Sequence, residues 1–239
     1  MQFEFKEEDI LRLANEIDNR AEYPEVYPDP IVVKFSGDFA SFSRPEFRVE
    51  KMTYKVPTFS ALRNMLQAIY WHPGFNYVPV FCGVRKPIRY EYIATNGIKG
   101  VPKVNPNKPI ILRRAGDSLQ RTTQYLLDVE YYVIAYLVSL PNFMGPEQSL
   151  RKYWKMAHDR IEKGKCFSQP SFGTRECTAE FAPIPDSEWR QDELFINRSE
   201  DLELMVFDFD YSDKNNRIPL FQHERMERGK VFYTGKVVR

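Results

Sequence analysis

The 239-residue chain has only three cysteines, Cys82, Cys166 and Cys177. They are too few, and too unevenly spaced, for a disulfide framework or a zinc site. There is no CxxC pair, no HExxH, no GxGxxG and no P-loop, so the common zinc, dinucleotide and nucleoside-triphosphate sites are excluded. No apolar run approaches the roughly 20 residues that a membrane span needs. The longest, Tyr131 to Leu140, stops at Pro141. The opening MQFEFKEEDI lacks the basic region and cleavage site of a secretory signal. A protein of the reducing cytoplasm without a membrane partner is expected. The three histidines, His72, His158 and His223, lie far apart. Asp208 and Asp210 would share one face of a VFDFDYS strand, but two carboxylates without a third ligand read better as an exposed edge than as a metal site. Neither metal nor other cofactor is expected.

What the chain does have is core material and segregated charge. It is 43% hydrophobic and 15% aromatic, which excludes a disordered protein. The net charge of +1 conceals two opposed regions. Residues 1–30 carry nine acidic against three basic side chains, a balance of −6. From Arg48 to Arg121 there are 13 Lys and Arg against three acids, a balance of +10. Asp186 to Asp213 swings back, with ten acids against Arg190 and Arg198. Clustered cations interleaved with aromatics suit phosphate contact and base stacking; the plainer reading is a solvated basic face beside an acidic one.

KEEDILRLANEIDNR places Ile10, Leu13 and Ile17 at helical spacing, and three prolines from Pro24 to Pro30 then prevent continuation. Residues 1–30 therefore read as an acidic helix with a proline-rich linker. Two placements follow. The helix folds over the basic surface in place of RNA, or it docks its apolar face on this chain or another subunit. Docking is preferred, because a helix this short needs a partner for its apolar face. From Ile31 to Pro183 the expected order is strand, helix, strand, strand, helix, strand. The first helix starts at Thr58, a good N-cap, and the second covers Glu147 to Lys163, with Gly164 ending it. This is a split βαβ, ferredoxin-like plan of the α+β class, which RNA-recognition domains share with many unrelated proteins. Residues 184–239 read as a smaller antiparallel β domain, with strands at Leu202 to Tyr211 and Lys230 to Tyr233.

Four segments together resemble one family: FSGDFASFSRPEFRVEKMTYKVPT, ALRNMLQAIYWHP, SLQRTTQYLLDVEYYVIAYLV and KYWKMAHDRIEKGKCFSQPSFGTREC. ELMVFDFDYS and PLFQHERMERGKVF extend the match to about Phe232. The family is the CRISPR-associated RAMP protein of subtype I-C systems. The resemblance implies a ferredoxin-like domain followed by a smaller β domain. It implies a metal-independent endoribonuclease that cuts precursor crRNA in the repeat by 2′-OH attack. It also implies that the product's 5′ handle stays bound within the surveillance complex Cascade, beside the backbone and large subunits. Residue by residue, the catalytic tyrosine of the AIYW segment falls on Tyr70 and the catalytic lysine on Lys152. The histidine that follows this lysine in the family is replaced by Tyr153. His72, two residues past Tyr70, is the nearer substitute, since His158 lies roughly 120° around the helix from Lys152.

Arg44, Arg48, Lys51 and Lys55, with Phe42, Phe47 and Tyr54, form a candidate surface for phosphate contact and stacking, which Arg113, Arg114 and Arg121 extend. Lys163, Lys165 and Arg175 flank a loop whose Gly164 and Gly173 allow close approach to phosphate. Two readings remain at this point: an endoribonuclease that also holds the handle, and a non-catalytic handle-binding subunit whose cutting site has changed at Tyr153.

Overall fold

The computed structural model describes residues 5–17, 23, 25–47, 49–98, 118–140, 142, 149–185, 187, 188, 191–210, 218–233 and 235–238. Its helices are α1 (Glu7–Ile17), α2 (Phe59–Ile69) and α3 (Leu150–Glu162). Its strands are β1 (Ile31–Ala40), β2 (Phe75–Val84), β3 (Tyr90–Ile98), β4 (Ser118–Ser139), β5 (Glu180–Pro183), β6 (Glu200–Asp210), β7 (Ile218–Glu227), β8 (Lys230–Phe232) and β9 (Val237–Val238). They form one antiparallel sheet in the order β5-β1-β4-β2-β8-β7-β6, with β3 on β4 and β9 on β7. The protein is of the α+β class.

Local chemistry sets the helix ends. The Thr58 hydroxyl accepts the Ala61 N–H at 3.2 Å and starts α2. Ser149 does the same for the Lys152 N–H at 3.4 Å in α3. At the far end of α3, Gly164 has φ +59°, Lys165 N–H reaches the Arg160 carbonyl and Gly164 N–H the Ile161 carbonyl. This double closure needs a left-handed residue, which glycine adopts at little cost. Gly173 also has a positive φ of +83°, but a side chain there would run into the Ser41 carbonyl. Its freedom serves packing against β1, while Gly164 stays open.

The long strand β4 organises the sheet. Its first half pairs with β3 as a hairpin, from Tyr90 opposite Leu126 to Ile98 opposite Ser118. Its second half lies between β1, with Val33 opposite Val133, and β2, with Tyr77 opposite Leu137. Where the halves meet, Asp128 adopts φ +50°, and its carboxylate receives Lys86 and Arg89. The Lys86 hydrogen bond holds that carboxyl below its usual range. The C-terminal strands join this sheet through β8, where Phe81 of β2 faces Phe232.

The expected linker is a paired strand edge. Ser139 N–H donates to the Glu25 carbonyl and Tyr27 N–H to the Leu137 carbonyl, both at 2.9 Å. Helix α1 is docked: Ile10, Leu13 and Ala14 are buried in the common core, and Arg12 donates to the Gly235 carbonyl at 3.1 Å. Shortening a fully buried leucine removes transfer energy and leaves a cavity. Leu13→Ala is expected to cost about 2–5 kcal/mol in urea unfolding. Removing residues 1–20 should leave RNA affinity within about threefold. RNA binding at least tenfold tighter after truncation would instead mean that the acidic helix competes with RNA.

Strand β7 was not expected from sequence. Its inward face is Leu220, Gln222, Glu224 and Met226. The Gln222 amide donates to the Gly235 carbonyl at 2.7 Å, and burial pushes the Glu224 carboxyl up to about 8. Asp208 also departs from the expected exposed edge. It is 2% exposed, and its Oδ2 lies 2.6 Å from Nη1 of Arg63 on α2. A strand that faces a helix on one side has an inward row, and Asp208 stands in it.

Candidate active site and RNA interface

The end of α2 meets the middle of α3. Tyr70 closes α2, its N–H donating to the Leu66 carbonyl at 3.1 Å. Its ring stacks on Phe75 with centroids 5.7 Å apart, and its hydroxyl donates to Met156 Sδ of α3 at 3.4 Å. Burial, then the neighbouring Tyr153, raises the Tyr70 phenol above its ordinary value, and Arg160 opposes this. A phenol already near 10 in water therefore stays protonated at neutral pH. It is a hydrogen-bond donor, not a base.

Tyr153 is 2% exposed, and burial raises its phenol as well. Its ring stacks on His72 at 4.5 Å and tilts against Phe75 at 5.2 Å. It fills core space that a smaller imidazole would leave open. His72 accepts the Gly74 N–H on Nδ1 at 3.0 Å. In neutral imidazole with Nδ1 accepting, the ring proton sits on Nε2, which leaves that N–H as the donor of His72.

Lys152 is exposed in the first turn of α3. Met156 and Arg160 follow at four-residue steps on the same helix stripe. Arg160 donates Nη1–H to the Ile69 carbonyl at 3.1 Å, and its guanidinium lies 5.2 Å from the Tyr70 ring centroid. Phe167 N–H reaches the Ala68 and Ile69 carbonyls, so the segment after α3 also caps α2. Two large aromatics remain in solvent here, Trp71 at 56% and Phe167 at 83% exposure. Tyr70, His72, Tyr153 and the stripe from Lys152 to Arg160 are thus gathered. His158 is not: it stacks on Trp154 at 5.0 Å and faces Glu162. Among the described residues no three His, Cys, Asp or Glu side chains come together as a metal site.

The basic surface differs in part from expectation. Phe42 and Tyr54 are core residues, leaving Phe47 exposed. Arg44 lies 5.5 Å from the Phe47 and 5.4 Å from the Tyr54 ring centroid, and pairs with Glu46 at 2.6 Å. Lys55 is engaged by Glu200 at 2.7 Å, so the acidic C-terminal segment folds back on the basic loop. Tyr90 and Tyr92 of β3, exposed at 37% and 56%, line a cavity of about 350 Å³ with Arg44, Phe47 and Lys55. Sequence reasoning missed their role, although their alternation on one strand was visible. Lys51, Arg121, Lys165 and Arg175 are exposed, and Lys163 is exposed with Asp159 at 4.0 Å. Arg48, Arg113 and Arg114 lie outside the described residues. Arg160 and Phe167 were also missed; the four-residue spacing from Lys152 was the available signal.

The sheet and its docked helices define an α+β protein whose cleft gathers tyrosine, histidine, lysine and arginine side chains. The profile of the family described as "CRISPR-associated protein (Cas_Cas5)" matches residues 31–233, and the chain belongs to that family. It is 34% identical over 222 residues to the CRISPR pre-crRNA endoribonuclease Cas5d of Mannheimia succiniciproducens, covering 85% of this chain and 96% of the relative. It is 37% identical over 199 residues to the protein of the same name from Thermus thermophilus, covering 83% and 81%. A crystal structure of a functionally uncharacterized protein from Streptococcus mutans superposes with a TM-score of 0.63 at 25% identity, over 87% of this chain and 94% of that one. A crystal structure of a CRISPR-associated protein has the same fold, with a TM-score of 0.66 at 22% identity over 87% and 94%.

Proposed function

We propose that this protein is an endoribonuclease that cuts precursor crRNA within the repeat and keeps the 5′ handle of the product in a subtype I-C Cascade. The family and its two pre-crRNA endoribonuclease relatives support the reaction. The observation that carries it to particular residues is the Tyr70 hydroxyl lying against the α3 stripe headed by Lys152. A ferredoxin-like core is supported by the order β5-β1-β4-β2, with α2 and α3 in its two crossovers. Strands β6 to β9 would then be the smaller β domain.

In this reading the 2′-oxygen attacks the adjacent phosphorus and the bond to the 5′-oxygen breaks. The products are a 2′,3′-cyclic phosphate and a 5′-hydroxyl. The 2′-OH proton leaves to solvent, and the departing oxygen takes one up. Tyr70 and His72 donate hydrogen bonds, and Lys152 offsets charge that builds on the phosphorane. Among the described residues no carboxylate hydrogen-bonds or ion-pairs with Tyr70, His72 or Arg160, so the centre suits chemistry without a metal ion. Incubation with its own repeat RNA in EDTA tests the proposal: one cut is expected within the repeat. Binding without cutting would leave a handle-binding subunit, the role favoured if the buried Tyr153 has removed the proton carrier.

The exposed cations Lys51, Arg121, Lys152, Lys165 and Arg175 give several phosphate contacts, each worth about 0.7 in the log–log salt dependence of single-strand binding. A slope magnitude above about 2 is expected. A binding constant unchanged between roughly 50 and 200 mM salt would contradict this surface.

A further inference from the structure

Several of the described arginines have an acidic partner. Arg12 meets Asp9, Arg44 meets Glu46, Arg63 meets Asp208, Arg85 meets Glu130, Arg89 meets Asp128 and Arg198 meets Glu200. Arg160 does not. Among the described residues its contacts are a carbonyl oxygen and the face of a ring. Its guanidinium is half-buried in the cleft, held by one N–H to Ile69 and by the Tyr70 ring. The remaining N–H groups of the fork are left for another acceptor.

A partly desolvated cation without a counter-charge is costly unless an anion completes it. A guanidinium fork matches two phosphate oxygens at once, and a fork already fixed loses little freedom on binding. The site's other cation, Lys152, lies two helical turns away on the same stripe, with the Tyr70 hydroxyl on Met156 between them. Trp71 and Phe167, both exposed, stand beside the Ile69 carbonyl that anchors Arg160. They offer faces on which bases stack.

We infer that Arg160 is the phosphate-binding residue of this centre: its free N–H groups grip the non-bridging oxygens of the phosphate that follows the attacking 2′-OH, while Trp71 and Phe167 receive flanking bases. The inference rests on the endoribonuclease reading, and it assigns the phosphate a particular cation.

The plain alternative is that Arg160 only caps α2, where a cation also suits the negative end of the helix dipole. Arg160→Gln separates the two, because it removes the charge, which the salt slope reads, while any loss of the cap is read by the melting temperature. The probe is the repeat RNA with a 2′-deoxynucleotide at the cut position, which binds without being cut. The salt slope of Arg160→Gln on this RNA is expected to fall by about 0.7. Arg160→Lys keeps the charge and should keep the slope. On ordinary repeat RNA both variants should lose roughly 100-fold or more in single-turnover cleavage, as when a transition-state donor is removed. An unchanged slope in Arg160→Gln, with a lowered melting temperature, would leave only the cap and overturn the inference. If the wild-type protein binds but never cuts, the reaction reading fails, and the slope still decides whether Arg160 holds a phosphate.

Discussion

A repeat RNA carrying one 2′-deoxynucleotide on the 5′ side of the cut phosphate is expected to bind normally and remain whole. The nucleophile of the proposed reaction is that hydroxyl, so its removal should lower cleavage below detection rather than by a modest factor. Cutting that persists on the deoxy substrate would sink the mechanism. The protein's own groups set a second expectation. Both site phenols are raised by burial, so each stays neutral to higher pH than a free tyrosine. A raised phenol loses its proton only above about 10, so neither tyrosine should shape the rate profile below about pH 9. Tyr70→Phe should slow cleavage by lost donation while leaving the form of the profile unchanged. A Tyr70→Phe profile with a new inflection below pH 9 would show that the phenol ionises during the reaction.

The other large effect is on stability. Arg63 of α2 and Asp208 of β6 are both nearly excluded from water and lie 2.6 Å apart. Removing one member leaves the other as an uncompensated charge in a low-dielectric interior. Arg63→Leu is expected to lose about 3–5 kcal/mol in urea unfolding. The double variant Arg63→Leu with Asp208→Leu should recover most of that loss, because the pair's attraction is largely offset by its desolvation. A single-variant loss under about 1 kcal/mol would mean that Asp208 is solvated after all. The pair matters for the site because it fastens α2, whose last turn presents Tyr70, to the C-terminal strands.

Several elements were legible from residues alone. Thr58 announced α2, Gly164 ended α3, and the alternation through Val129, Tyr131 and Val133 announced β4. These signals are local, because a cap or a period-two pattern needs only its near neighbours. Strand β7 was illegible because its inward row includes Gln222 and Glu224, which any hydropathy pattern assigns to solvent. They are tolerated inside because Gln222 reaches the Gly235 carbonyl, and Glu224 is largely neutral near pH 7, with its carboxyl raised to about 8. Asp208 was misplaced for the same reason: its partner, Arg63, is 145 positions away.

Residue type and spacing alone brought out the α+β class, the start of α2 and the end of α3, the resemblance to a CRISPR-associated family and the candidacy of Tyr70 and Lys152. Each of these depends on the chain's own order. The start of α3, expected at Glu147, falls at Leu150 after the Ser149 cap. The fate of the side chains was settled by folding. Tyr153 became core beneath His72, Phe42 and Tyr54 left the surface, and Lys55 met Glu200. Arg160 came to rest on Tyr70 with no acid paired to it among the described residues. The physical reason is that burial and charge pairing are set by segments far apart in sequence, so neither exists until the sheet and its helices close on one another.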